Sequence, residues 1–335
     1  MPILSVRNLQ IQYRTARGIA RAVDGATFDV PAGKVVGLIG ESGCGKTTTA
    51  RAVIGVIPKS ASIVGGEIIF RGQDLLRLSP RELVQRRWRE IAFIPQSAMN
   101  SLNPVVRVGR QVVEVLVQRG DYGRQRAHDR AAELFQMVSI DPSRLHDYPH
   151  QFSGGMRQRA VIALSLALNP ALIIADEPVT ALDVIVQRQV LDIFKELQVR
   201  LGLSVILVTH DISVVAYACD RVAVMYAGKV VESGPTGQVL TVPCHPYTMG
   251  LYNAFPELQQ STASLISIRG SPPSPVELPA GCRFEARCPF ALPLCRNSQP
   301  VTELTAHDHE AACFRIGEAA KLRMLATEEN TWRPS

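Results

Sequence analysis

The sequence lacks the features that mark membrane-spanning, exported and strongly polyanion-binding proteins. Its apolar runs, such as residues 161–168, stay far below the roughly 20 consecutive apolar residues needed to cross a bilayer. The amino terminus has no basic stretch followed by a long apolar one, so no secretory leader is predicted and cytoplasmic residence is expected. The 36 basic and 30 acidic residues give a mild net charge of +6 spread along the chain, so no nucleic-acid partner is expected.

What is present is typical of an α/β protein. With 335 residues and 46% hydrophobic content, the chain can bury one full α/β core plus an appendage, or two modest domains. The alternation of apolar and polar residues from Leu4 to about Asp29 predicts paired strands. Three short apolar runs, at 34–40, 171–175 and 205–209, predict buried strands whose carboxyl ends line one edge of a parallel sheet.

Composition divides the chain into two regions. Residues 1–252 are expected to form the main domain, with a helical insertion at about 97–165 that is rich in helix formers. After about residue 252 proline becomes frequent, as in SPPSP at 271–275, and four of the seven cysteines follow. Residues 253–335 are therefore expected to form a separate C-terminal appendage.

A phosphate-binding loop is the clearest motif in the chain. The segment GESGCGKT, residues 40–47, has the pattern G-x-x-x-x-G-K-[ST] between a predicted strand and a predicted helix. Its backbone N–H groups would surround phosphate, Lys46 would reach the β and γ phosphates, and Thr47 would ligate Mg²⁺. The ATP-binding residues predicted in this segment are Gly40, Glu41, Ser42, Gly43, Cys44, Gly45, Lys46, Thr47 and Thr48.

A second apolar run ends in two adjacent carboxylates. Residues 172–175 lead into Asp176, which is expected to hold Mg²⁺ directly or through water. Glu177, on the other side of an extended backbone, is expected to polarise the attacking water as a general base. Taken alone, such a strand end is more often a solvated one, and the phosphate loop is what favours the functional interpretation.

A third motif lies at the start of the helical run AVIALSLAL. Ser153 is a good helix N-cap, and Gly154 and Gly155 leave the first backbone N–H groups uncovered for an anion. By itself this pattern is that of an ordinary capped helix. Its position between the phosphate loop and the Asp-Glu pair makes it informative.

These motifs and their order resemble those of the ABC ATPase family, and the resemblance covers nearly the whole chain. The family signature has the form Leu-Ser-Gly-Gly-Gln, from which this chain departs at both ends, at Phe152 and Met156. The resemblance implies an α/β fold with a P-loop NTPase core, in which a parallel sheet is joined by an antiparallel β subdomain and a helical insertion.

The resemblance also implies roles for single residues. Gln96 matches the glutamine of the Q-loop, a Mg²⁺ ligand, and His210 matches the switch histidine. Tyr13 matches the aromatic residue that stacks on adenine, although a lone aromatic residue in a strand is more often part of the core. The expected catalytic residues are Lys46, Gln96, Glu177 and His210.

In this family the ATP site is split between two subunits, so one copy of each motif implies a dimer. ATP would join the two subunits and its hydrolysis would release them, moving helices of attached permeases. The residues expected to complete the site of the partner subunit are Ser153, Gly154, Gly155, Met156 and, in the D-loop, Asp183.

Three stretches resemble the ATPases of dipeptide, oligopeptide and nickel importers: SAMNSLNP after Gln96, DYPHQ at 147–151 and CHPYT at 244–248. That subgroup implies a second ATPase, often a paralogue, two permeases, an extracytoplasmic binding protein and a place on the cytoplasmic face of the membrane. Peptide import is the expected function. The alternatives are import of nickel or another small solute, and a soluble ABC ATPase of DNA repair or translation.

The late cysteines, Cys282, Cys288, Cys295 and Cys313, have the spacing C-x5-C-x6-C-x17-C. Four thiolates suit a 4Fe-4S cluster or zinc, but these gaps match neither paired C-x2-C zinc patterns nor ferredoxin runs, so free thiols stay an alternative. Members of the subgroup carry a cysteine-rich C-terminal segment associated with an iron-sulfur cluster. The resemblance therefore favours the cluster, with zinc as the alternative.

Overall fold

The structure, a computed structural model, describes residues 1–253, 268–305 and 308–332. Its strands are β1 (Pro2–Thr15), β2 (Gly18–Pro31), β3 (Val35–Ile39), β4 (Ala61–Phe70), β5 (Gln73–Asp74), β6 (Ile91–Ile94), β7 (Leu172–Asp176), β8 (Ser204–Val208), β9 (Arg221–Tyr226), β10 (Lys229–Pro235), β11 (Glu303–Leu304) and β12 (Glu310–Ala311). Its α-helices are α1 (Lys46–Val53), α2 (Pro80–Arg86), α3 (Val108–Arg119), α4 (Arg124–Met137), α5 (Gly154–Ser165), α6 (Val184–Leu201), α7 (Ile212–Ala218), α8 (Thr236–Thr241), α9 (Pro246–Asn253), α10 (Leu294–Asn297) and α11 (Ala319–Ala326).

An antiparallel sheet at the amino-terminal end has the strand order β2-β1-β4-β5. β1 and β2 pair along their length from Thr15 opposite Gly18, so the tight turn between them sets the register. Leu9 and Ile11 are fully buried, whereas Gln10 between them is partly exposed, as alternation on a half-buried strand requires. The prediction of paired strands from Leu4 to Asp29 is confirmed.

The main sheet has the order β11-β12-β10-β9-β3-β8-β7-β6. The strands from β9 through β6 are all parallel to one another, and the apolar runs of β3, β7 and β8 are buried at every residue. This part confirms the predicted parallel sheet. At the other edge β10, β12 and β11 pair antiparallel, so the complete sheet is mixed.

The predicted helical insertion contains α3, α4 and α5 between β6 and β7. Val112, Leu116, Leu134 and Phe135 from α3 and α4 are fully buried in one cluster with residues of α5 and of the main sheet. The insertion therefore packs on the sheet through a continuous apolar core, which fixes the start of α5 relative to the strand ends.

The C-terminal region shares its core with the main sheet. Tyr226 of β9, Phe284 and Leu322 lie in one buried cluster. The buried carboxylate of Glu232 on β10 accepts N–H bonds from the backbone of Cys244 and of His245, and it lies 2.7 Å from Nε2 of His309. The domain boundary after residue 252 stays a prediction, and apolar and polar contacts cross it.

Among the described residues, no helix combines the length and the apolar character that a membrane span requires.

Candidate nucleotide-binding site

The loop from Gly40 to Gly45 joins β3 to α1, as the motif predicts. A Cβ atom at Gly40 would lie 2.1 Å from the carbonyl oxygen of Met225, and one at Gly45 would lie 2.5 Å from that of Ala22. Both glycines also have positive φ angles, of 148° and 107°. Glycine is therefore needed at both ends of the loop for steric and conformational reasons.

The Lys46 side chain lies across this loop. Only 6% of Lys46 is exposed, and its Nζ donates to the carbonyl oxygens of Gly40 at 2.7 Å and Glu41 at 3.0 Å. Those bonds hold the ammonium at the mouth of the loop, where a phosphate group would meet its charge. The Cys44 thiol is buried beneath the loop, and burial raises its pKa despite the nearby Lys46.

One open cavity brings the predicted residues of three strand ends together. Gln96 after β6, Glu177 after β7 and His210 after β8 face the phosphate loop across it. This is the edge of the parallel sheet at which sequence analysis places the site. The predicted site residues that line the cavity are Gly40, Glu41, Ser42, Gly43, Gly45, Lys46, Thr47, Thr48, Gln96, Glu177 and His210.

Thr47 and Asp176 form a candidate magnesium site behind the loop. The Thr47 hydroxyl donates to Oδ1 of Asp176 at 2.9 Å, and Asp176 is fully buried. Its Oδ2 atom is buried and has no hydrogen-bond partner among the described residues. Burial raises the pKa of this carboxyl group against the lowering effect of Thr47. A buried carboxylate oxygen with a free lone pair fits the oxygen ligands that Mg²⁺ prefers.

The backbone turns sharply at Glu177. β7 ends at Asp176, and Glu177 has a φ angle of 51°, a backbone conformation that residues other than glycine rarely adopt. The expected extended backbone at this residue is therefore wrong. The N–H of Glu177 donates to the carbonyl oxygen of Val208 at 2.8 Å, and this bond to the neighbouring strand holds the turn. Such strain is concentrated at functional sites.

Three side chains surround the Glu177 carboxylate. Nδ1 of His210 lies 3.0 Å from Oε1, and Oε2 accepts from Nε2 of Gln96 at 3.2 Å and from the Thr180 hydroxyl at 3.1 Å. Burial raises the pKa of Glu177, but the bonds from His210 and Thr180 outweigh burial and the net pKa is lowered. The group is therefore held as a carboxylate. Sequence reasoning did not assign Thr180 a role, although it lies three residues after Glu177.

The signature residues lie at the start of α5, away from the cavity lining just described. Ser153 caps α5 and accepts the N–H of Met156 at 3.3 Å, and Asp183 caps α6 by accepting the N–H of Val186 at 2.9 Å. A Cβ atom on Gly155 would lie 2.4 Å from Cγ1 of Val186, so the two helix starts are in close contact. The structure thus brings the signature and the D-loop together on one surface.

Tyr13 lies beside the first turn of α1. Its hydroxyl is 3.2 Å from Oγ1 of Thr48, and its side chain is half-buried against the core under β1. This position is next to the phosphate loop, where an adenine-contacting residue would have to be.

Two further residues contact the phosphate loop, and sequence reasoning missed both. The Glu41 carboxylate forms a bidentate ion pair with Arg287, at 2.7 and 2.9 Å, and the N–H of Glu41 donates to the Tyr247 hydroxyl at 2.9 Å. The carboxylate and the backbone N–H of Glu41 are thus both bonded to residues of the C-terminal region. Tyr247 lies in the CHPYT stretch and Arg287 precedes Cys288, but neither position carries a local pattern that points to this contact.

The four late cysteines line a single small cavity with His245, Phe284 and Phe290. The N–H of Cys282 donates to the carbonyl oxygen of Cys295 at 2.8 Å. Burial raises the pKa of the Cys282 and Cys288 thiols and raises that of Cys313 to about 11. Structure thus brings together all four residues that the spacing alone could not connect.

Comparison with known proteins agrees with this geometry. The family profile for the ABC transporter matches residues 23–180, and that for the oligopeptide/dipeptide transporter C-terminal region matches residues 231–295. The dipeptide transport ATP-binding protein DppD of Bacillus subtilis is 42% identical over 327 residues, which are 97% of this chain and 98% of the relative. The chain belongs to the family of ABC transporter ATP-binding proteins.

Other members of the family are similarly close. The probable peptide ABC transporter ATP-binding protein y4tR of Sinorhizobium fredii is 45% identical over 324 residues, 96% of this chain and 97% of the relative. The dimeric structure of MJ0796, a bacterial ABC transporter cassette, aligns with a TM-score of 0.62 and 28% identity, covering 70% of this chain and 98% of the cassette. As an ABC transport ATPase, the protein binds ATP with Mg²⁺, hydrolyses it and works with permease subunits of the membrane.

Proposed function

We propose that this ABC ATPase powers an importer of dipeptides or oligopeptides. The observation that carries this proposal is the match of residues 231–295 to the oligopeptide/dipeptide transporter C-terminal region, in a chain whose relatives are named as peptide transport ATP-binding proteins over nearly their whole length. The C-terminal region is the part that distinguishes this chain from a plain cassette. The proposed division is a cassette of residues 1–252 and an extension of residues 253–335.

The residues around the cavity can carry out hydrolysis in defined roles. Glu177, held as a carboxylate by His210 and Thr180, takes a proton from water that attacks the γ phosphate. His210 and Gln96 orient that carboxylate, and Lys46 places its charge against the phosphate oxygens. Magnesium, held by Thr47, Asp176 and Gln96, would neutralise phosphate charge. Tyr13 would stack on adenine, as its place beside Thr48 allows.

The surface formed by the two helix starts completes the ATP site of a second ATPase subunit. The residues of this surface are Ser153, Gly154, Gly155, Met156 and Asp183. The backbone N–H groups of Gly154 and Gly155 at the start of α5 would meet a phosphate group, whereas the N–H of Met156 is capped by Ser153. This second subunit is proposed to be a paralogue, because the peptide-importer subgroup often pairs different chains. Two permeases and an extracytoplasmic binding protein complete the importer, which places this chain on the cytoplasmic face of the membrane.

Transport is tested by reconstituting the chain with the products of its neighbouring genes in liposomes. We expect ATP-dependent uptake of labelled dipeptides or oligopeptides, and no uptake when Glu177→Gln replaces the native chain. Labelled nickel and an unrelated sugar serve as competing substrates in the same vesicles. Uptake of nickel without uptake of peptide would overturn the peptide assignment and leave the ATPase assignment intact.

The four-cysteine cavity is proposed to hold a 4Fe-4S cluster. Among the described residues, only Glu232, Cys244 and His309 bring three possible ligand atoms within 4.8 Å of one another. No three of the four late cysteine sulfur atoms lie within that distance of one another. Tetrahedral zinc with Zn–S bonds of about 2.3 Å would hold its sulfur ligands about 3.8 Å apart. The wider spacing of the four soft sulfur ligands therefore favours an iron-sulfur cluster over zinc.

Purification without oxygen tests the cluster. We expect brown protein with about four irons per chain, the content of a 4Fe-4S cluster, and loss of iron in Cys288→Ser. Cys219→Ser is the matched control, because Cys219 is partly buried in another part of the fold and is not among the cavity's lining residues. Colourless anaerobic protein with stoichiometric zinc would decide for zinc.

A further inference from the structure

The segment from Cys282 to Cys288, called here the 282–288 segment, lies between the four-cysteine cavity and the phosphate loop. Both of its end residues line the cavity. The residue before its last cysteine, Arg287, makes the bidentate pair with Glu41 of the phosphate loop, which is 246 positions away in sequence. A single short segment thus touches both sites.

The ion pair between Arg287 and Glu41 is largely withdrawn from water. The exposed fractions of the two side chains are 6% and 25%. Arg287 also donates to the Tyr226 hydroxyl at 3.2 Å and to the carbonyl oxygen of Arg269 at 2.8 Å, so its guanidinium is fixed from several directions. Guanidinium matches a carboxylate bidentately, which lysine cannot do.

This pair has an electrostatic consequence for ATP. Glu41 is a negative charge in a loop whose backbone must accept a polyanion, and unit charges of like sign repel strongly at partly buried sites. Arg287 neutralises that charge. Without Arg287 the carboxylate would repel phosphate, and the partly buried carboxylate would also lose its partner.

Tyr247 holds the same loop residue through its backbone. Its hydroxyl accepts the N–H of Glu41, and its buried ring packs against Tyr226 and Phe284 at centroid distances of 4.6 and 5.4 Å. Nδ1 of His245 accepts the N–H of Tyr247 at 3.0 Å and thereby fixes the start of α9. The Glu41 side chain and its backbone are thus both held by the C-terminal region.

A second contact anchors the other end of the 282–288 segment. Arg283, which follows Cys282, forms a buried ion pair with Asp24 of β2. Ala22 of the same strand faces Gly45 at the far end of the phosphate loop. The 282–288 segment therefore contacts the region of the phosphate loop at two places, through Arg283 and Arg287. Each of these arginines is adjacent in sequence to a cysteine that lines the cavity.

We propose that Arg287 and Tyr247 are positioning residues for the phosphate loop, and that the 282–288 segment makes ATP binding depend on the state of the four-cysteine site. The second half of this proposal rests on the proposed cluster. A cluster bonded to Cys282 and Cys288 would fix both ends of the 282–288 segment. Its loss would free Arg287 to leave Glu41 and would weaken nucleotide binding.

The first half is tested by equilibrium binding of a fluorescent ATP analogue with Mg²⁺ to the full chain. We expect Arg287→Gln to raise the Kd about tenfold or more, the effect of losing a charged hydrogen-bonded partner. Glu41→Gln in the same chain should restore binding to within about threefold of the native value, because it removes the repelling charge. A merely structural role for Arg287 would not be rescued by that second change.

Two further variants keep this test decisive. Arg296→Gln is the control, because the Arg296 side chain is exposed and, within the part of the chain that the structure describes, forms an ion pair with Glu285 alone. Its Kd should be unchanged. Tyr247→Phe keeps the buried ring and removes the acceptor of the Glu41 N–H, and it should raise the Kd about threefold to tenfold. It serves in place of Arg287→Gln if that variant does not fold. Native affinity in both variants would overturn the positioning role.

The second half is tested by measuring metal content and ATP affinity on the same samples. We expect Cys288→Ser to lose its metal and to bind the analogue as weakly as Arg287→Gln, while Arg287→Gln keeps its metal. Adding Glu41→Gln to Cys288→Ser should restore the affinity. Metal loss with native affinity would overturn the coupling. Native protein without any metal would defeat the proposed cluster, while the Arg287 arm would still decide the positioning role.

Discussion

The Nδ1 atom of His210 lies 3.0 Å from Oε1 of Glu177, and the two residues follow neighbouring parallel strands. Asp176, the last residue of β7, pairs with Val208, the last residue of β8, so the register of the sheet places the two following turns side by side. The register of β7 and β8 thus determines where the Glu177 carboxylate lies relative to His210. Residues distant in sequence meet here because parallel strands end at one edge.

Glu177→Gln should keep ATP binding and lower the steady-state hydrolysis rate about a hundredfold or more, because an amide cannot act as a general base. The nearly equal volume of glutamine preserves the contacts with Gln96 and Thr180. Phosphate release assayed with the partner ATPase measures the effect. Glu196→Gln, on the exposed face of α6, is the matched control. A rate near that of the native chain would show that Glu177 is not the base.

Lys46→Ala should weaken ATP binding and slow hydrolysis together. The ammonium is buried against the phosphate loop, so its removal takes away charge from both the bound nucleotide and the developing transition state. Isothermal titration and phosphate release on the same sample measure both effects, and the exposed Lys59→Ala serves as control. Unchanged ATP affinity in Lys46→Ala would contradict this role.

His210→Ala should shift the pH dependence of hydrolysis. Hydrogen bonding to His210 and Thr180 lowers the Glu177 pKa, so removing His210 should raise it. A base must be deprotonated, and the acidic fall in kcat should therefore begin at a higher pH in the variant than in the native chain. Rates at saturating MgATP from pH 5 to 8 test this expectation. Identical acidic limbs would show that His210 does not set the protonation of Glu177.

His245 should make folding stability depend on pH. Burial lowers its pKa to about 3 from an ordinary value of 6.5. Between these values the unfolded chain binds a proton that the folded chain does not, so stability is present above pH 6.5 and is lost as the pH falls. The loss between pH 7.5 and pH 5.5 should be about 1.4 kcal/mol from this residue.

Urea unfolding at the two pH values measures that loss in the native chain and in His245→Asn. Asparagine keeps an acceptor for the Tyr247 N–H and has no titrating group. The variant should therefore lose about 1.4 kcal/mol less on acidification than the native chain. His128→Asn, at an exposed position of α4, is the control for the change from histidine to asparagine. Equal losses in all three chains would exclude His245 as the source.

Local sequence patterns predicted the elements that form the site. The phosphate loop needs glycine at Gly40 and Gly45 for reasons that any sequence with this fold shares, and the apolar runs of β7 and β8 are recognisable because parallel strands are buried on both faces. Signals of this kind depend only on neighbouring residues, and those predictions of strand, loop and helix are confirmed.

Other features have no local pattern. The two-residue strands β11 and β12 are too short to show alternation, and they exist because β10 offers them an edge. The turn at Glu177 follows from its bond to the next strand, so the extended backbone suggested by the preceding run was wrong. The Arg287–Glu41 pair joins residues 246 positions apart, and one sequence carries no record of such a pairing.

β12 covers the outer edge of β10, and this small pairing bears on what can be removed from the protein. A chain shortened after α9 would expose the unpaired backbone groups of β10, including the carbonyl oxygen of Val231 that now accepts from Ala312. Glu232 would at the same time lose its buried contact with His309. Open strand edges recruit other chains, so a shortened cassette should self-associate into aggregates when it is produced without its C-terminal strands.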